Sequence, residues 1–151
     1  MKKTVAVLAA MIAGAAAVLV SSPAQAATPR IQIRSILLNP AGKDTAANAH
    51  LNQEYVQLRN TTGATISMSG WTLRDRSAHV YTFPAGSVLV SNGTFYVRTG
   101  KGTNNYNNRY QNRGYYVWNN DTDAATLRTN TNVTVDSCSY KVTVGKSSVA
   151  C

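Results

Sequence analysis

Two histidines, six carboxylates and two cysteines are the side chains of this 151-residue sequence that could carry acid–base, metal or thiol chemistry. His50 and His79 stand in no metal-ligand spacing. Neither G-x-S-x-G, H-E-x-x-H nor a phosphate-cradling glycine loop occurs. Metal-assisted hydrolysis needs several carboxylates or histidines around an ion, and six scattered acids do not supply them. The single glutamate, Glu54, stands beside Tyr55 at a strand start and reads as a strand-end hydrogen-bond or ion-pair partner. We therefore assign no catalytic residue and no cofactor. An enzyme with an unrecognised site stays as an alternative that would show as a pocket lined by Asp or His. The best metal candidate is the run Asn119-Asn120-Asp121-Thr122-Asp123, where oxygens of Asn120, Asp121 and Asp123 could surround calcium. The same letters also make an Asx-rich turn whose side chains cap their own backbone.

Binding chemistry is better supplied. The stretch GTNNYNNRYQNRGYYVWNN, residues 102–120, carries tyrosines, asparagines and arginines without an acid. Together with Arg98 and Lys101 just before it, Arg109 and Arg113 offer cations for phosphate, Tyr106 and Tyr110 offer rings for stacking, and the amides offer hydrogen bonds. A loop this long in a small domain must also fold partly back onto the body, with tyrosines as the natural anchors. The balance favours a packed surface excursion over a dedicated site. Residues 102–114 are expected to be mobile, and Tyr116 and Trp118 are expected to face the core.

The ends of the chain address compartment and bridging. Lys2 and Lys3 precede an uncharged apolar run from Val5 to Val20, and Ala24-Gln25-Ala26 follows as a small-x-small cleavage site. The expectation is a signal peptide over 1–26, a mature domain over 27–151 without a membrane span, and a secreted, extracellular location. Losing Lys2 and Lys3 would take the formal charge from +9 to +7. In an oxidising compartment Cys138 and Cys151 are expected to pair, pinning a C-terminal strand KVTV to the strand that carries Cys138. Free thiols or an intermolecular bridge are the other readings of the same two residues.

Those residues need elements to hold them, and the sequence offers strands. Apolar residues alternate at Ile31 and Ile33, Val56 and Leu58, Trp71 and Leu73, Phe95 and Val97, Val133 and Val135, and Val142 and Val144. Turn clusters such as Asn39-Pro40-Ala41-Gly42, Asn60-Thr61-Thr62-Gly63 and Ser91-Asn92-Gly93 separate them. Nothing after Ala27 reads as a helix. Strands recurring about every ten residues between such turns imply an all-β sandwich or barrel. Only 14% of residues are charged, and Thr, Ser and Asn supply the polarity, as they do on outward strand faces.

Five segments in order, EYVQLRN, SGWTLRD, YTFPAG, VWNNDTDAATL and VDSCSY, resemble the lamin tail domain, over residues 31–140. The resemblance implies an immunoglobulin-like β-sandwich and a kinship with exported bacterial members of that family; Trp71, after Gly70 at a strand start, is expected to fill the centre of the sandwich. It leads to a secreted, non-catalytic binding or scaffold module whose partner is extracellular or on the cell surface. A nonspecific attraction to polyanions such as teichoic acid, extracellular DNA or an acidic glycan is the alternative that the net charge favours.

Overall fold

The computed structural model describes residues 30–143 and 145–151. The expected signal peptide and Val144 lie outside the described residues. The chain runs β1 (Ile31–Leu37), α1 (Asn48–Leu51), β2 (Tyr55–Asn60), β3 (Ile66–Ser67), β4 (Thr72–Arg74), β5 (Val80–Thr82), β6 (Val88–Leu89), β7 (Thr94–Arg98), β8 (Asn108–Tyr110), β9 (Thr122–Arg128), β10 (Thr134–Lys141) and β11 (Ser148–Ala150). A five-stranded sheet in the order β11-β1-β2-β7-β8 and a four-stranded sheet in the order β10-β9-β4-β5 form the sandwich, and β3 and β6 make a separate two-stranded ribbon. All pairings are antiparallel except β7 with β8. Among the described residues no helix is long and apolar enough to cross a membrane.

Period-two alternation explains why these segments are strands: every second side chain of β2, β7 and β9 enters the core. In β1 a register shift between Ile33 and Ser35 changes the phase, so Ile31 and Ile33 are buried before it and Ile36 and Leu38 after it. Such a bulge inserts a residue and turns the remaining strand over. A second shift, between Thr134 and Asp136, does the same to β10. Beyond it Cys138 and Tyr140 enter the core; of the expected pair, Val135 packs partly against the core, whereas Val133, in the turn before β10, is 60% exposed.

Rings fill the centre. Phe83 packs against Tyr81 and Phe95 at centroid distances of 4.9 and 5.7 Å. Trp118 is buried, whereas Trp71, expected at the centre, is only partly buried and packs against the core from its side. One helix turn, α1, forms where none was expected. It is held from outside itself, since Asn48 and Asn52 both donate to the Lys101 carbonyl at 2.9 Å, and four residues have too little propensity to stand alone.

A disulfide joins Cys138 to Cys151, with the Cα atoms 5.7 Å apart. Of the expected strand KVTV, the described residues 142 and 143 lie outside any strand: β10 ends at Lys141, and the chain returns as β11 against β1 in the other sheet. The bridge therefore ties the two sheets together, beside the Cys151 N–H that donates to the Arg34 carbonyl at 3.0 Å.

Candidate functional site

The carboxylates decide which charges remain on the surface. Glu54 precedes β2 and is fully buried. It accepts from the Thr99 hydroxyl and from the Val117 and Trp118 N–H groups, both at 3.0 Å. Burial pushes its carboxyl up to about 7, against the downward pull of those three donors, and the charge of Asp123 adds to the rise. Asp123 is also fully buried; its oxygens accept from the N–H groups of Arg76, Asn119 and Ala124 and from the Asn119 amide, at 2.7–3.1 Å. Asp75 caps His79 N–H at 2.7 Å and holds His79 Nδ1 at 2.5 Å. Asp136 reaches across to Ile33 N–H at 2.8 Å, beside the β1 bulge. Asp121 accepts from Thr122 N–H at 2.6 Å. Asn60 works the same way at the end of β2, donating to the Ala64, Leu89 and Val90 carbonyls and accepting from Thr62, so it anchors the ribbon of β3 and β6.

Buried backbone groups must find partners, and at turns the ladder cannot supply them. The anchoring oxygens of four of the five quoted segments do this work: Glu54 and Asn60, Asp75, Asp123, and Asp136. The Asn-Asp run is thus a set of backbone caps. Asp123 is enclosed by four N–H donors, Asn120 is exposed, and no group of three or more His, Cys, Asp or Glu able to hold a metal exists among the described residues.

Three of the six acids, Glu54, Asp75 and Asp123, are buried, while Asp44 and Asp121 are exposed. Among the described residues the one ion pair within 4 Å is His79 with Asp75. The expected polyanion contacts differ in their surroundings. Arg98 donates to Asn108 Oδ1 and to the Asn52 carbonyl, both at 2.6 Å, and lies against the Tyr55 and Tyr96 rings. Arg113 donates to the Val80 carbonyl at 3.1 Å and to the Tyr115 hydroxyl at 3.3 Å. Lys101 is exposed and its backbone is clamped by Asn48 and Asn52. Each arginine is drawn toward a carbonyl that a strand end or a turn leaves open.

The asparagine-rich stretch corrects a second expectation, that of a mobile loop over 102–114. Residues 108–110 form edge strand β8, paired in parallel with β7. Its outer edge is closed by its own approach: Asn105 Oδ1 accepts from Asn107 and Asn108 N–H, Asn104 Oδ1 accepts from Tyr110 N–H, and Asn105 N–H donates to the Asn108 carbonyl, all at 2.9–3.0 Å. An open edge invites pairing with another chain, and here amide side chains stand in for the missing strand. Residues 111–113 then wrap the end of β7 through bonds to Arg98, Thr99 and Gly100. The Tyr110 ring lies over Gly102, where any Cβ would approach it to 2.5 Å. Beyond the wrap, Val117 and Trp118 are buried, because both their N–H groups must reach Glu54. Alternation therefore fails, and Tyr116, expected in the core, is half-buried, bonded to His50 and donating to the Thr45 carbonyl at 3.2 Å.

One recess emerges from this construction. It has a volume of about 270 Å³ and lies between Val88, Leu89 and Thr94 on one side and Asn105, Tyr106 and Arg109 on the other. A second, of about 200 Å³, adjoins it through Asn105 and Arg109 and reaches Pro84–Ser87. Tyr106 is 68% exposed and Val88 44%. Arg109, expected on an exposed loop, is instead buried with its guanidinium over the Phe95 ring. Nearby, burial pushes the Tyr81 hydroxyl's pKa up, while the Arg109 charge and Asn104 pull it down. The composition of the stretch pointed to Arg109 and Tyr106. Val88, Thr94 and Asn105 were not singled out, because their roles come from the ribbon and the edge closure.

Taken together, the two sheets, the bulges and the capped turns define an immunoglobulin-like β-sandwich with a recess at one sheet edge. The Lamin Tail Domain family model matches residues 24–142, and the chain belongs to that family. No curated protein matches the chain closely enough to count as a relative.

Proposed function

We propose that this protein is an exported, non-catalytic binding or scaffold module that acts outside the cell or at its surface, through attraction to polyanionic partners. The observation that carries the reading is the disposition of charge. Five of the six acids accept hydrogen bonds from backbone N–H groups, and among the described residues none of them pairs with a lysine or arginine within 4 Å. A formal charge of +9, or +7 without Lys2 and Lys3, then acts outward as a field that concentrates anions. Export is supported by the basic start, the apolar run and the Ala24-Gln25-Ala26 site, and by a disulfide that suits an oxidising compartment.

The test has two arms. N-terminal sequencing of material recovered from the medium should begin at Ala27, and a start at Met1 in exported protein would refute cleavage. Binding to anionic polymers should be measurable at low salt and weaken as salt rises, because released counterions drive it. Absence of binding to every polymer at low salt would overturn the polyanion reading.

A further inference from the structure

The recess holds a charge that the protein itself does not neutralise. Arg109 is only 8% exposed, and its guanidinium carbon lies 4.9 Å from the Phe95 ring centre. Its Nη1 donates to the carbonyls of Asn105 and Asn108. The other edge, formed by Nε–H and Nη2, has no acceptor among the described residues, and no carboxylate lies within ion-pair distance. A desolvated cation is costly unless paired, and the ring beneath it recovers only part of that cost. The residue nevertheless stands where the two recesses meet, lining both.

We propose that this recess binds the carboxylate of an acidic polysaccharide, with Arg109 as the anion contact and Tyr106 as the platform for a uronate ring. The proposal rests on the binding-module reading above and narrows it to one site and one ligand class. The Nε–Nη2 edge presents parallel N–H groups in one plane, which match the two oxygens of a carboxylate. At the mouth, the exposed Tyr106 ring and the Val88 side chain offer an apolar surface for the C–H face of a sugar. Asn105 has its Oδ1 fixed by Asn107 and Asn108, so its Nδ2, without an acceptor among the described residues, is left for a sugar hydroxyl. Neither recess alone reaches the roughly 300 Å³ usual for a small-molecule pocket, but their junction at Arg109 suits a chain that passes through both.

The same geometry disfavours a nucleic-acid strand. Strand binders line a track with several cations, whereas this recess contains one. Arg98 and Arg113, close in sequence, are directed to Asn52, Asn108 and Val80.

Calorimetric titration of the intact chain with oligogalacturonate, its methyl ester, polyglutamate and single-stranded DNA at physiological salt tests the proposal. Oligogalacturonate should bind, and esterification should weaken it at least about tenfold, the loss of one charged contact. Tyr106→Ala, at an exposed position, should weaken binding about tenfold with thermal unfolding unchanged, and Arg109→Met should abolish it. Equal binding of the methyl ester, an unchanged Tyr106→Ala, or tighter binding of polyglutamate or DNA would each overturn the proposal. If the acidic polymers bind alike and release together as salt rises, the recess is not the site and the general polyanion reading stands. If none binds even at low salt, both readings fall. Should Arg109→Met fail to fold, Tyr106→Ala and the methyl ester still decide.

Discussion

Glu54 and Arg109 are both charged side chains taken out of water, one before β2 and one in β8, and the protein completes only one of them. The Glu54 carboxylate meets a hydroxyl and two backbone N–H groups and faces no opening. Arg109 meets two carbonyls and an aromatic face, and its remaining edge borders a recess. A buried polar group whose hydrogen-bonding capacity is fully met rigidifies a fold, whereas one left partly open is either a defect or a site. Stability should therefore respond strongly to Glu54 and weakly to Arg109, and ligand binding should respond the other way round.

The largest expected effect is that of Glu54→Ala, which strands the Val117 and Trp118 N–H groups in the core. A loss of about 4 kcal/mol in urea unfolding is expected, since each orphaned buried donor costs about 1–3 kcal/mol. A loss below about 1 kcal/mol would break the comparison. Removing the inter-sheet bridge with Cys138→Ala and Cys151→Ala should cost about 3 kcal/mol for a ring of this size. It should leave the recess unchanged, because β11 and β8 are opposite edges of the five-stranded sheet. Altered ligand affinity in that double variant would show that the two edges are coupled.

A pH titration sharpens the Glu54 side. Its folded value of about 7 lies above the ordinary 4.5, so between those limits the folded protein keeps a proton that the unfolded chain has released. Stability held in full below pH 4.5 should thus be lost as pH rises to about 7, by up to about 3 kcal/mol. Glu54→Gln should remove that slope when its unfolding free energy is compared with the parent's across the range. A parallel curve would refute the assignment.

On the Arg109 side, Arg109→Met keeps a long apolar stem over Phe95 and should change stability by no more than about 1 kcal/mol, since replacing a buried charge by a hydrophobic side chain of similar size is often neutral. A loss comparable to that of Glu54→Ala would make Arg109 a structural plug. The smallest effect is a control in a turn away from both: Ala78 has φ of 68°, a left-handed conformation that costs a non-glycine residue roughly 1–2 kcal/mol. Ala78→Gly should raise stability by some tenths of a kcal/mol after its added unfolded-state freedom is subtracted. Its thermal midpoint checks the turn geometry on which the Asp75 cap depends.

The sequence by itself determined the class of fold. Alternation at Ile31 and Ile33, Val56 and Leu58, and Phe95 and Val97 appears unchanged as buried strand faces, because period two is a local property of the extended chain. Pairing of Cys138 with Cys151 could also be read from two residues alone. Alternation could supply neither phase across the bulges, so that the inward positions of Cys138 and Tyr140 were missed, nor the extent of the turn that takes Val133 out of β10. Nor could it supply the partners of isolated polar residues. Glu54 meets Val117 and Trp118 more than sixty positions away, and Arg109 acquires its setting only when β8 pairs in parallel with β7 and the β3–β6 ribbon rises beside it. Such contacts arise from long-range closure of the sheets, so identical letters on a solvated loop would carry no site. Tertiary structure decided which of the chain's buried charges was completed and which was left facing outward.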